Sequence, residues 1–136
     1  MPCVRNRREE ERRTVLVGQR ADGDSSQRQY RSDFLDGAGL HETLPGGFLD
    51  VHADFNFHGA WFLDRRLNVL VYLNREWREE WGGCLELWDR DLSRCVKKVV
   101  PAFNRTVIFG TNDASFHGHP EPVRCPEGRT RKSVAT

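Results

Sequence analysis

From residue 41 to the C-terminus the sequence is cut into short apolar or alternating runs, each bounded by Gly, Pro, Asn or Asp. Such spacing leaves no room for long helices. It predicts short β-strands, because period-two alternation sends successive side chains to opposite faces of a sheet. The expected strands are His41–Leu44, Phe48–Asp54, Leu67–Leu73, Cys84–Trp88, Cys95–Val100, Thr106–Phe109, Ser115–His119 and a last one starting near Arg131. Only the EWREEW stretch after Asn74 reads as a helical turn. This pattern predicts an all-β core with few short helices, either a sandwich or a small barrel, and a double-stranded β-helix of the jelly-roll or cupin-like type satisfies it.

With 136 residues the chain has enough length for one compact domain. All four Trp and most of the Phe lie beyond residue 36, so the core is expected in residues 37–136. Residues 1–36 are Arg-rich, and ADGDSSQRQYRSD at 21–33 has linker chemistry with no apolar period, which predicts a poorly ordered arm. A net charge of +1 creates no field that would draw nucleic acid or an anionic membrane, and neither partner is expected. Trp61, Trp77, Trp81 and Trp88 could stack bases, but in a chain of balanced charge they read more simply as core. The longest apolar run, around Val69 to Leu73, falls far short of the ~20 residues of a membrane-spanning helix. Arg and Glu alternate at the N-terminus where an export signal would be apolar, and Cys3, Cys84, Cys95 and Cys125 form no Cys-x-x-Cys pair. A reducing, cytoplasmic setting is expected.

In the run Gly47-Phe48-Leu49-Asp50-Val51-His52-Ala53-Asp54, strand alternation puts His52 and Asp54 on one face. Alone, His-x-Asp is an ordinary surface pattern. Ser115-Phe116-His117-Gly118-His119 adds a histidine on a later strand, and two His with one carboxylate make the facial triad of non-haem Fe(II) oxygenases. Arg131 and Ser133, two residues apart and thus on one strand face, can hold a carboxylate, or else belong to a solvated basic tail. Tyr72 brings a hydroxyl into an otherwise apolar strand. Its partner is either a ligand carboxylate or an ordinary core group.

Taken in order, His52-Ala53-Asp54, RRLNVLVYLN followed by EWREEWGGCLELWD, PAFNRTVIF, SFHGHP and RTRKSVA resemble the 2-oxoglutarate and Fe(II)-dependent dioxygenase superfamily, on the branch of prolyl 4-hydroxylase catalytic domains. The resemblance covers residues 37–136 and implies a double-stranded β-helix. It implies iron on His52, Asp54 and His117, and the distal carboxylate of 2-oxoglutarate on Arg131 with the hydroxyls of Tyr72 and Ser133. His119 rivals His117, which is preferred because Ser-Phe-His matches the family's approach to that ligand. Arg129 rivals Arg131 but lacks a hydroxyl two residues on. His41 and His58 match no ligand position and are expected at a loop or strand edge. Phe57 and Trp61, just after the His-x-Asp strand, are expected beside the substrate.

The implied activity is hydroxylation of an unactivated C–H bond, on a prolyl residue of a protein or peptide or on a small metabolite. Dioxygen and 2-oxoglutarate would be consumed, with ascorbate as reductant. The alternative is a non-catalytic, truncated piece of β-helix or a metal-binding module. Residues 1–36 do not resemble the layer that supports the family's β-helix, and an unsupported face predicts self-association.

Overall fold

The computed structural model describes residues 27–30, 38–59 and 62–136; the rest of the N-terminal arm, Ala60 and Trp61 lie outside the described residues. Eleven strands appear in chain order: β1 (Gln27–Tyr30), β2 (Gly39–Thr43), β3 (Leu49–His52), β4 (Phe57–His58), β5 (Leu63–Asp64), β6 (Leu67–Tyr72), β7 (Leu85–Trp88), β8 (Cys95–Val99), β9 (Thr106–Gly110), β10 (His117–His119) and β11 (Arg131–Ala135). A larger sheet runs β1-β2-β11-β6-β9 and a smaller one β3-β10-β7-β8, with β4 and β5 as a separate hairpin. Every named pair is antiparallel. The chain passes between the sheets as it goes from β2 to β3, β3 to β6, β6 to β7, β8 to β9, β9 to β10 and β10 to β11. This winding is the double-stranded β-helix expected from the strand pattern.

Three details differ from the sequence reading. Gln27–Tyr30, inside the stretch read as linker, pairs with β2 through main-chain bonds that need no apolar period. The strand carrying His52 stops at that residue, so Asp54 lies beyond it. EWREEW yields only one 3-10 turn, Glu79–Trp81. Glu76 takes a left-handed φ of 54° ahead of it and Gly82 one of 67° behind, and both break α-helical geometry.

The larger sheet turns a polar wall inward. On β6 the buried positions are Asn68 and Tyr72, on β11 Arg131, Ser133 and Ala135, and on β2 Thr43. The opposite face carries Leu40, Leu67 and Ile108, each about half exposed or more. Apolar packing is concentrated at one end, where Trp77, Val123 and Cys125 cluster with Trp81 and Val100 against them. Trp77 and Trp81 meet edge to face at 5.5 Å, and Trp77 Nε1 donates to the Gly82 carbonyl at 3.2 Å. Buried Asn74 fastens this end to β11: its Nδ2 donates to the Pro101 and Lys132 carbonyls at 2.8 and 3.0 Å, and its Oδ1 accepts from the Lys132 amide at 2.6 Å. All capacities of a buried amide but one are thereby used locally, which fixes the register of β6 against β11.

Candidate metal centre and anion pocket

Strand β10 lies between β3 and β7 in the smaller sheet, in a register that sets His117 opposite His52. The two imidazole centroids are 4.6 Å apart. Main chain meets main chain beside them, since a Cβ on Gly118 would come within 2.8 Å of the carbonyl oxygens of Leu49 and Asp50. His52 Nδ1 lies 2.8 Å from the Asp50 carbonyl, and His117 Nδ1 lies 3.0 Å from that of Ser115. A carbonyl only accepts, so each Nδ1 carries a proton and donates it, and each Nε2 is left to face inward. Both Nε2 atoms are 3.5 Å from Asp54, one at Oδ1 and the other at Oδ2. Ligand atoms of the three residues all fall within 4.8 Å of one another.

Asp54 is held from the larger sheet. Asn68 Nδ2 donates to its Oδ2 at 2.6 Å, and Arg65 Nη1 stands 3.3 Å from the same oxygen. Arg65 is steadied in turn by the Phe55 ring, 5.0 Å below its guanidinium. Burial would raise the Asp54 pKa, but the surrounding side chains of His52, His117 and Arg65 outweigh it and keep the carboxyl below its ordinary value. For His117 burial prevails over its bonds and lowers the pKa, favouring the neutral imidazole a metal requires. For His52 burial is outweighed by Asp54 and the Asp50 carbonyl, and the pKa rises.

A second polar group lines the inward wall. Arg131 is 5% exposed, yet among the described residues no carboxylate forms an ion pair with it. Its Nε donates to the Gly83 carbonyl at 2.7 Å, and its guanidinium sits 5.2 Å over the Tyr72 ring. Gly83 makes room for it, because a Cβ there would meet Arg131 Cδ at 2.9 Å and strain a φ of 63°. Tyr72 is wholly buried, its Oη without a well-formed hydrogen bond among the described residues, and burial raises its pKa against the pull of the neighbouring Arg131 guanidinium. Ser133 lies opposite Tyr72 on one side and His41 on the other. A buried guanidinium without a counterion costs several kcal/mol, and an anion between these groups would relieve that cost.

Residues 38–136 match the family described as the 2OG-Fe(II) oxygenase superfamily. The chain belongs to that superfamily. Prolyl 3-hydroxylase OGFOD1 of Mus musculus is 35% identical over 57 residues, which are 39% of this chain and 10% of that protein. The chain thus spans only a small part of this curated relative. A prolyl-4-hydroxylase of Pseudomonas putida superposes with a TM-score of 0.54 at 24% identity, over 72% of this chain and 45% of the other. A Trichoplax adhaerens prolyl hydroxylase, solved with a peptide fragment of the hypoxia inducible factor oxygen degradation domain, gives 0.51 at 21% identity, over 72% and 40%. These two structural likenesses establish the fold.

Membership in the superfamily implies Fe(II) and 2-oxoglutarate, and the residues present fit both: two inward imidazole nitrogens with one held carboxylate, and an uncompensated buried guanidinium. The structure brings His52, Asp54 and His117 together, and groups Arg131, Tyr72 and Ser133 on the facing wall. His119, the rival ligand, is paired in register with Leu49 and lies outside the triad. Arg129, the rival anchor, is at the surface, 3.2 Å from Glu76 and 5.3 Å over the Trp81 ring. Phe57 is 51% exposed on β4 and packs edge to face on Phe62. Its loop flanks the metal centre, because Asn56 Nδ2 donates to Asp113 Oδ1 on the approach to β10. Trp61 falls outside the described residues.

Sequence reasoning passed over Arg65 and Asn68 and placed His41 at a loop or strand edge. Asn68 shares the inward parity of Tyr72 on one strand, a signal readable in RRLNVLVYLN. His41 is not edge decoration: it lies within β2 with Nε2 buried.

Proposed function

We propose that this chain binds Fe(II) through His52, Asp54 and His117, anchors 2-oxoglutarate on Arg131, Tyr72 and Ser133, and hydroxylates a prolyl residue of a protein or peptide. The observation that carries this reading is the pairing of a ready three-ligand group with a buried, counterion-free guanidinium on the facing sheet. When bound, the metal and cosubstrate supply oxidative decarboxylation by dioxygen coupled to insertion of one oxygen atom into a C–H bond. The protein's own part is positioning. The Asp50 and Ser115 carbonyls set both histidine tautomers, while Asn68 and Arg65 fix the rotation of the Asp54 carboxylate. Arg131 pairs with the distal carboxylate, and Tyr72 and Ser133 add hydroxyl hydrogen bonds to it. Sheltered from water, those contacts keep most of their strength.

Phe57 borders the substrate, and its exposed aromatic ring suits a pyrrolidine in an extended peptide better than a small free metabolite. The peptide-bound relative supports the same choice. Ascorbate serves as reductant and the cytoplasm as the setting, in keeping with the free thiols of Cys84, Cys95 and Cys125. Self-association is assigned to the outward face bearing Leu40, Leu67 and Ile108.

The test is to load the chain with Fe(II), supply 2-oxoglutarate and dioxygen, and follow succinate formation with proline-containing peptides or free proline. Succinate and a peptide mass gain of one oxygen atom are expected. Gain on free proline alone would overturn the peptide assignment. Metal binding without succinate under any of these conditions would leave a metal-binding module, the second reading.

A further inference from the structure

The inward wall holds a further buried polar atom, His41 Nε2, without a hydrogen-bond partner among the described residues. His41, on β2, lies across from Ser133 on β11, and Ser133 lies across from Tyr72 on β6, so the three form one rung of the larger sheet. Among the described residues His41 Nε2 is buried without a well-formed hydrogen bond, as is Tyr72 Oη at the other end of the rung, where only the Arg131 guanidinium acts on the hydroxyl. Two residues along β2 and β11, Thr43 pairs with Arg131, so the buried guanidinium borders this rung. The register thus sets His41 on the same inward wall as Arg131, and Arg131, Asp54 and Arg65 are, in that order, the charged groups that act on it.

We infer that His41 is a further cosubstrate-positioning residue, donating from Nε2–H to the carboxylate that Arg131 pairs with and closing the pocket opposite Tyr72. This rests on the 2-oxoglutarate reading given above and deepens it.

An imidazole in that position must be uncharged to avoid repelling Arg131. Burial, with Arg131 next, pushes its pKa down to about 4, so it is neutral under ordinary conditions. A neutral imidazole always has one N–H to give. Leaving such a group buried and unpaired costs free energy that a bound carboxylate would recover. The donor also sits at the β2 side of the guanidinium, whereas Tyr72 lies on the β6 side. A carboxylate on Arg131 would therefore be gripped from both flanks, which fixes its rotation as well as its place.

The inference is tested on the full chain with Mn(II), which is redox-silent, by calorimetric titration of 2-oxoglutarate and, without metal, of glutarate. His41→Leu removes the donor at similar volume, and His41→Gln keeps an N–H. For His41→Leu we expect affinity for both acids to fall about tenfold, the size of one well-placed hydrogen bond to a charged group. His41→Gln should recover most of that loss, Mn(II) affinity should stay unchanged in both variants, and the ligand-free melting temperature of His41→Leu should hold or rise. If the wild-type chain binds 2-oxoglutarate and His41→Leu binds it equally well, the His41 assignment is overturned while the proposed function stands. Equal weakening in both variants together with lost Mn(II) affinity would mark a structural role and also overturn it. Failure of the wild-type chain to bind 2-oxoglutarate would overturn the proposed function and this inference with it.

Discussion

The two ends of the site are built to different degrees of completion. At the proposed metal end every candidate ligand is already oriented by a neighbour: each His Nδ1 by a backbone carbonyl, Asp54 by Asn68 and Arg65. At the proposed anion end, among the described residues, Arg131 donates to the Gly83 carbonyl, while Tyr72 Oη, beside the Arg131 guanidinium, and His41 Nε2 make no well-formed hydrogen bond. Protein groups supply the orientation at the first end and leave it to the ligand at the second. The difference teaches where free energy is stored: losses at the metal end should disable a prepared site, and losses at the anion end should remove an affinity without disturbing the apoprotein.

The sharpest test of this contrast is removal of a metal ligand. His52→Ala or His117→Ala should abolish measurable Mn(II) or Fe(II) binding with the circular dichroism spectrum preserved, whereas His119→Ala should retain metal. Equal loss from His119→Ala would erase the distinction between the two β10 histidines. Next in size, Arg131→Ala should weaken 2-oxoglutarate by ~2–5 kcal/mol and leave metal affinity intact, as expected for one member of a desolvated ion pair. Arg129→Ala should change neither, and an effect there would shift the register of the last strand.

Asn68→Ala should be milder, lowering metal affinity about 10–100-fold by freeing the Asp54 carboxylate, as outer-shell partners commonly do. An unchanged metal titration would show that Arg65 alone suffices. Smallest of all, Tyr72→Phe should reduce 2-oxoglutarate affinity by ~0.5–1.5 kcal/mol while leaving the ligand-free melting temperature nearly unchanged, because among the described residues the hydroxyl makes no well-formed hydrogen bond and only the Arg131 guanidinium acts on it. A lower melting temperature would mean the anion end is also prepared in advance, and the contrast would fail.

Legibility in the sequence followed the same division. Strands that bury alternate side chains announced themselves within a residue or two, as Leu67–Tyr72 and Arg131–Ala135 do. β1 did not, since QRQY has no apolar period and its strand exists through main-chain pairing with β2. The triad residues could be picked out by type and order, but the hold of Asn68 and Arg65 on Asp54 depends on how far the two sheets stand apart, which no one-dimensional pattern encodes. His41 was misread for a related reason. Its inward parity is fixed by the register of β2 on β11, through Thr43 opposite Arg131 and His41 opposite Ser133, and that pairing lies 90 residues or so away in the chain.

Gly118 gives the metal centre a peculiar relation to mutation. The Asp50 carbonyl that a Cβ at position 118 would strike at 2.8 Å is the same carbonyl that accepts the His52 Nδ1 proton. Adding a single methyl to β10 would therefore push on the atom that aims a ligand on β3, without touching any ligand directly. At Gly118 the spacing of two polypeptide backbones and the aim of an imidazole are thus the same variable.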